Sequence, residues 1–136
     1  MKVVIDTNVL IAAFGKTSPY RKIFDDFLDS KFNLLLSNET LLEYLEVMER
    51  KSNSFVAENL IVSLLSAENI ELHEIFFRWS LIENDSDDNK FSDLAITGNA
   101  DYLITNDNHF KVLKLQAFPP VNIISADGFI DVLNKL

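Results

Sequence analysis

Short unbroken apolar runs alternate along this chain with longer stretches in which apolar residues recur every three or four positions. Residues 2–6 (Lys-Val-Val-Ile-Asp) offer no polar face in their middle and read as a strand buried on both sides. Phe32–Leu36, Tyr102–Thr105 and Val121–Ile124 have the same character, and Ile70–Phe76 reads as a short strand from its β-branched and aromatic content. Helical patterns lie between them: Asn8–Phe14, then Ser18–Ser30, with Ser18-Pro19 as an N-cap followed by proline at the first helical position. Ser37 or Asn38 caps a helix running to Lys51, with Leu41, Leu42, Leu45 and Met48 as its apolar stripe and Glu39, Glu43 and Glu46 on its polar side. Ser54–Ser66 is amphipathic, with Phe55, Leu60, Ile61, Leu64 and Leu65 as its expected core. The polar loop Asn84–Asn89 leads into a helix over Lys90–Gly98, His109–Leu115 forms a short helix, and Ser125 caps a closing helix to Leu136. Strands alternating with helices imply an α/β fold, a parallel sheet covered on both faces, in a single domain spanning residues 1–136.

Composition narrows the chemistry. At 136 residues and 48% hydrophobic the chain is long enough for a proper core. No apolar run approaches the roughly 18 residues of a membrane span. A strand beginning at Lys2 leaves no room for a signal peptide, so a cytoplasmic location is expected. Cysteine is absent and the two histidines, His73 and His109, are isolated, which excludes a thiolate or His-rich metal site and a nucleophilic triad. Three scattered glycines make no phosphate-binding loop. Twelve Lys and Arg against 21 Asp and Glu give a net charge of −9, which argues against tight, sequence-indifferent polyanion binding and suits a basic protein partner. Lys16, Arg21 and Lys22 after the first strand, and Lys111 and Lys114 at helical spacing, partly offset it.

Four acids, Asp6, Glu43, Asp88 and Asp107, stand where an apolar run ends or within or at the start of a helix. Strand ends of this kind meet at one edge of a parallel sheet, where ligands bind. Carboxylates gathered there repel one another unless a divalent cation sits among them, which points to a metal-dependent phosphodiesterase. Each also has a plainer reading. Asp6 serves equally as an N-cap, unless Asn8 does the capping; Glu43 belongs to a solvated face with Glu39 and Glu46; and Asp85, Asp87, Asp88 and Asp107 suit helix starts. Asp93 follows Asp88 by five residues, about 140° around a helix, and need not share its face.

Four segments in order, Asp6-Thr7-Asn8-Val9-Leu10, Ser37 with Glu43, Asp87-Asp88-Asn89-Lys90-Phe91 through Leu94-Ala95, and Ala100 through Asp107, resemble the PIN-domain family, and within it the VapC-like toxins of toxin–antitoxin systems. The resemblance runs across nearly the whole chain. It implies a three-layer fold similar to FEN-type nucleases, with a central parallel sheet flanked by helices, and a Mg²⁺- or Mn²⁺-dependent ribonuclease whose metal-holding and catalytic acids are Asp6, Glu43, Asp88 and Asp107. Asp6 and Asp88 would hold the principal ion, and Glu43 and Asp107 a second ion or the water. Thr7, Asn8 and Thr105 would support the acids, Ser37 would orient its helix, and Asp93 is a possible additional acid. The spacing of Asp88 to Ala95 selects it over Asp87. Asn106 stands where relatives carry Gly. The same resemblance implies an RNA substrate, a cognate antitoxin and a homodimer. Two rivals stand beside it. A haloacid-dehalogenase-type phosphatase needs a second Asp two positions after the first, where this chain has Asn8. A PIN-like protein-binding module with weak or no nuclease activity would suit the acidic surface.

Overall fold

The fold is given by a computed structural model describing residues 1–82, 86–108, 110 and 120–136, with the side chains of Ser86, Asp87 and Asp88 outside that description. Among the described residues five strands form one wholly parallel sheet: β1 (Lys2–Ile5), β2 (Asn33–Leu36), β3 (Ile70–Leu72), β4 (Tyr102–Ile104) and β5 (Ile123–Ile124). The order across the sheet is β3-β2-β1-β4-β5. Among the described residues six helices connect and cover it: α1 (Thr7–Phe14), α2 (Arg21–Leu28), α3 (Asn38–Lys51), α4 (Ser54–Leu65), α5 (Ser86–Thr97) and α6 (Ala126–Asn134). None is long and apolar enough to cross a membrane.

The central position of β1 follows from its composition. Val3, Val4 and Ile5 are fully buried, paired to β2 on one side and to β4 on the other (Val3 opposite both Leu34 and Tyr102, Ile5 opposite Ile104). From β1 the chain winds outward through β2 to β3, then returns through α5 to β4 on the opposite flank. The order therefore reverses between β1 and β4, and a crevice opens at their carboxyl ends. Aromatic contacts show how the helices are anchored. Phe14, Phe24, Phe27, Phe32 and Phe129 form a continuous chain joining α1, α2, the approach to β2 and α6, with centroids 5.0–6.0 Å apart. Elsewhere Tyr44 meets Phe91 at 6.0 Å and ties α3 to α5. Gly98 lets the end of α5 approach the sheet, since a Cβ there would lie 2.1 Å from Leu35.

Several elements differ from the sequence reading. The helix expected from Ser18 begins at Arg21, because the Ser18 hydroxyl accepts from the Tyr20 N–H and closes a turn instead of capping. Strand β3 stops at Leu72, and residues 73–82 run on as irregular chain. Helix α5 starts at Ser86, so residues 87 and 88 belong to its first turn and not to a preceding loop. In α3 the most buried line is Thr40, Tyr44 and Met48, while Leu42 is exposed. In α4 it is Ala57, Leu60 and Leu64, with Phe55 and Leu65 exposed, because only one narrow strip of that helix faces the rest of the molecule. The helix expected over His109–Leu115 lies, Phe110 apart, outside the described residues.

Candidate active site

Asp6 is the first residue past β1. Its N–H extends the ladder to the Ile104 carbonyl (2.9 Å) before the chain turns into α1. Its backbone is extended and its Oδ1 accepts from the Thr7 N–H at 2.8 Å, so Asp6 itself is the N-cap of α1. Asn8, the alternative cap, is exposed, and its Oδ1 accepts from Lys51 Nζ at 3.1 Å. Capping does not exhaust Asp6, since a carboxylate offers about four lone-pair sites. Its Oδ2 accepts from the Thr105 hydroxyl at 2.8 Å. That hydroxyl in turn accepts from the Asp107 N–H at 3.0 Å, so one threonine fixes the ends of both β1 and β4.

Asp6 is only 5% exposed. Burial raises its carboxyl to about 6, against the pull of the Thr105 and Thr7 hydrogen bonds, and the negative charges of Asp107 and Glu43 push the same way. Three of the sequence-selected acids thus share one electrostatic neighbourhood.

Glu43 reaches it from α3. The start of that helix is set by a reciprocal capping box, in which Ser37 Oγ accepts from the Thr40 N–H and Thr40 Oγ1 accepts from the Ser37 N–H. One turn on, the buried Tyr44 hydroxyl donates to the Ile5 carbonyl and pins α3 to the end of β1. Burial, with Asp6 and Glu43 nearby, holds the Tyr44 phenol well above its usual range, so it stays a neutral donor. Glu43 accepts from the Thr7 hydroxyl on Oε2 and pairs with Lys90 Nζ at 3.2 Å on Oε1. Glu46 is exposed. The three glutamates of the polar face are therefore not equivalent.

Asp93 stands in a neighbouring polar layer. It is buried, accepts from the Trp79 N–H at 3.0 Å, and is raised by burial against that hydrogen bond and the Arg78 charge. Arg78 also pairs with Glu39 on α3. Asn106 Oδ1 accepts from the Ala126 N–H at 3.0 Å, tying the β4 turn to the start of α6. Of the basic cluster, Arg21 pairs with Asp25 and Lys22 with Asp26, each one turn along α2, so these two cations neutralise their own helix instead of forming a phosphate patch. The Asp88 carboxylate, Lys111 and Lys114 lie outside the described residues. Lys90 and Tyr44 escaped the sequence reading: a lysine in a helix and a tyrosine beside a glutamate carry no local signal of what they touch.

A crevice of about 230 Å³ opens here, lined by Asp6, Asn8, Val9, Tyr20, Asn106 and Asp107. Among the described residues no three Asp, Glu or His side chains stand close enough to hold an ion by themselves. The donors that do converge are oxygen only, and Asp6 is buried among negative charges, a set that fits a hard divalent cation.

The PIN domain family model matches residues 2–109, and the chain belongs to that family. Comparison with curated proteins finds no match. Among solved structures, VapBC2 from Rickettsia felis bound to a promoter DNA fragment superposes with a TM-score of 0.63 at 17% identity, covering 92% of this chain and 98% of that one. The sarcin–ricin-loop-cleaving toxin VapC20 of Mycobacterium tuberculosis gives 0.60 at 10% identity, covering 84% and 95%. DNA-bound VapBC from Salmonella typhimurium gives 0.57 at 14%, covering 93% and 98%. At these identities the likeness is one of fold.

Proposed function

We propose that this chain is a Mg²⁺- or Mn²⁺-dependent endoribonuclease, the toxin of a toxin–antitoxin pair, which hydrolyses RNA phosphodiester bonds in the crevice between β1 and β4. The observation that carries the reading is Asp6: a carboxylate buried at a topological switch point, among other acids, and raised to about 6. A group so placed favours a hard cation over water. Asp6 and Asp107, with Asp88 carried over from the family pattern, would hold the ion, and Glu43 would orient the attacking water. A bound divalent ion supplies a Lewis acid for the phosphodiester and a water acidified enough to act as nucleophile. The chain's own groups fix the geometry: Thr105 holds Asp6 and the Asp107 backbone, Thr7 holds Glu43, and Tyr44 holds α3 against β1. Products would carry 5′-phosphate and 3′-hydroxyl ends, and the protein would act as a cytoplasmic homodimer.

An antitoxin belongs to the same reading, since two of the structural neighbours are VapBC complexes. A largely apolar groove of about 540 Å³ runs between α1, α2, α3 and α4, lined by Ile11, Phe14, Phe24, Leu28, Met48 and Val56 among others, and that lining suits the apolar face of an amphipathic partner segment. The second reading, a binding module with weak or no nuclease activity, draws on the pairing of Arg21 and Lys22 within α2 in a chain of net charge −9. Incubation of the purified protein with structured and unstructured RNAs, with Mn²⁺ and with EDTA, separates the two. Cleavage abolished by EDTA is expected; undiminished cleavage in EDTA removes the metal mechanism, and no cleavage of any RNA favours the binding module.

A further inference from the structure

Glu43 already has a cation. Lys90 Nζ lies 3.2 Å from its Oε1, the Thr7 hydroxyl occupies Oε2, and the Lys90 and Glu43 side chains are only 17% and 15% exposed. Lys90 is not a surface side chain that happened to fold inward. Its neighbour Phe91 and, one turn on, Leu94 are fully buried, and Phe91 packs against Tyr44, the residue next to Glu43. The core contact that docks α5 on α3 therefore also delivers the ammonium to the carboxylate. Solvent screens a partly buried ion pair less than an exposed one, so removing either partner leaves the other charge uncompensated.

We propose that Lys90 is a resident counter-ion which takes the place of a second divalent ion at Glu43, so that this site binds one divalent ion, on the Asp6–Asp107 side, and not two. Two-metal sites place their ions roughly 3.5–4 Å apart. A second ion on Glu43 would stand beside the ammonium already held there, and like charges close together in a partly buried site repel. Glu43 with Lys90 then works as a polar unit that orients water or the scissile phosphate, while metal binding falls to the acids at the ends of β1 and β4. The inference rests on the metal-dependent reading above and adds the stoichiometry to it.

Calorimetric titration of the full chain with Mn²⁺, checked by the electron paramagnetic resonance signal of free Mn²⁺, tests it without recourse to activity. Wild type should take up one Mn²⁺ per chain. Lys90→Met, which keeps length and removes charge, should gain a second binding event, and Lys90→Arg should stay at one. Two ions on the wild type would overturn the role of Lys90 and leave the metal reading standing, and so would a folded Lys90→Met that still binds only one. No Mn²⁺ uptake by the wild type would overturn both. Two ions on the wild type overturn the proposal even if Lys90→Met does not fold.

Discussion

Replacing Asp6 by Asn should stabilise the metal-free protein at neutral pH while removing its response to metal. In the fold the Asp6 carboxyl is raised from 3.8 to about 6, first by burial and then, against two hydrogen bonds, by Asp107 and Glu43. A group raised in the folded state contributes stability that is fully present below its unfolded value and is lost as pH rises through the folded value. The metal-free wild type should therefore lose stability between about pH 4 and pH 6. The loss is about two pKa units, or roughly 3 kcal/mol at about 1.36 kcal/mol per unit. Asn is close in size to a neutral carboxyl and caps a helix about as well as Asp. It avoids the penalty of the charged form, so at pH 7.5 in EDTA it should melt higher than wild type, by on the order of 10 °C for a domain of this size. At pH 4 the two proteins should melt together. Added Mn²⁺ should stabilise the wild type by up to about 2.7 kcal/mol at a hundredfold excess over the dissociation constant, and so raise its melting point, and should scarcely move the variant. Thermal melts of both proteins at pH 4 and 7.5, in EDTA and in Mn²⁺, give all of these comparisons. If Asp6→Asn melts no higher than wild type at pH 7.5 in EDTA and keeps the Mn²⁺ shift, Asp6 is a helix cap and nothing more.

Two further outcomes follow from residues that sequence spacing alone leaves equivalent or ambiguous. Glu43→Gln should lower Mn²⁺-dependent kcat/KM by about tenfold or more, because it weakens the hold on Lys90 and Thr7 beside Asp6, whereas the exposed Glu46→Gln should change stability by less than about 0.5 kcal/mol and leave turnover alone. Equal turnover in the two variants would leave Glu43 a structural partner of Lys90 and Thr7 with no part in the reaction. Asp93→Leu should cost about 1–3 kcal/mol in chemical denaturation by leaving the Trp79 N–H without its acceptor, while Asp93→Asn keeps an acceptor and should be near neutral. Equal losses in both would mean that the Asp93 charge matters more than its hydrogen bond.

The sequence by itself determined the alternation of strands and helices, because burial on both faces leaves an unbroken apolar run and a one-sided helix leaves a period near 3.6. It also placed the start of α3 at Ser37 or Asn38 and that of α6 at Ser125, since capping is chemistry within a few residues, and the structure selects Ser37. The family pattern was legible as well, with Asp6 and Asp107 just past strand ends and Glu43 within a helix. Tertiary structure decided what each of those groups meets. Asp6 depends on Thr105, 99 positions away, and Glu43 on Thr7 and Lys90, contacts that no local period encodes. It also decided which apolar residues are core: Leu42, Phe55 and Leu65 fit a helical stripe yet stay exposed, while Tyr44 is buried against Phe91 with its hydroxyl satisfied by the Ile5 carbonyl. Periodicity says which side of a helix is apolar. How much of that side is covered, and by what, depends on elements brought together from distant parts of the chain.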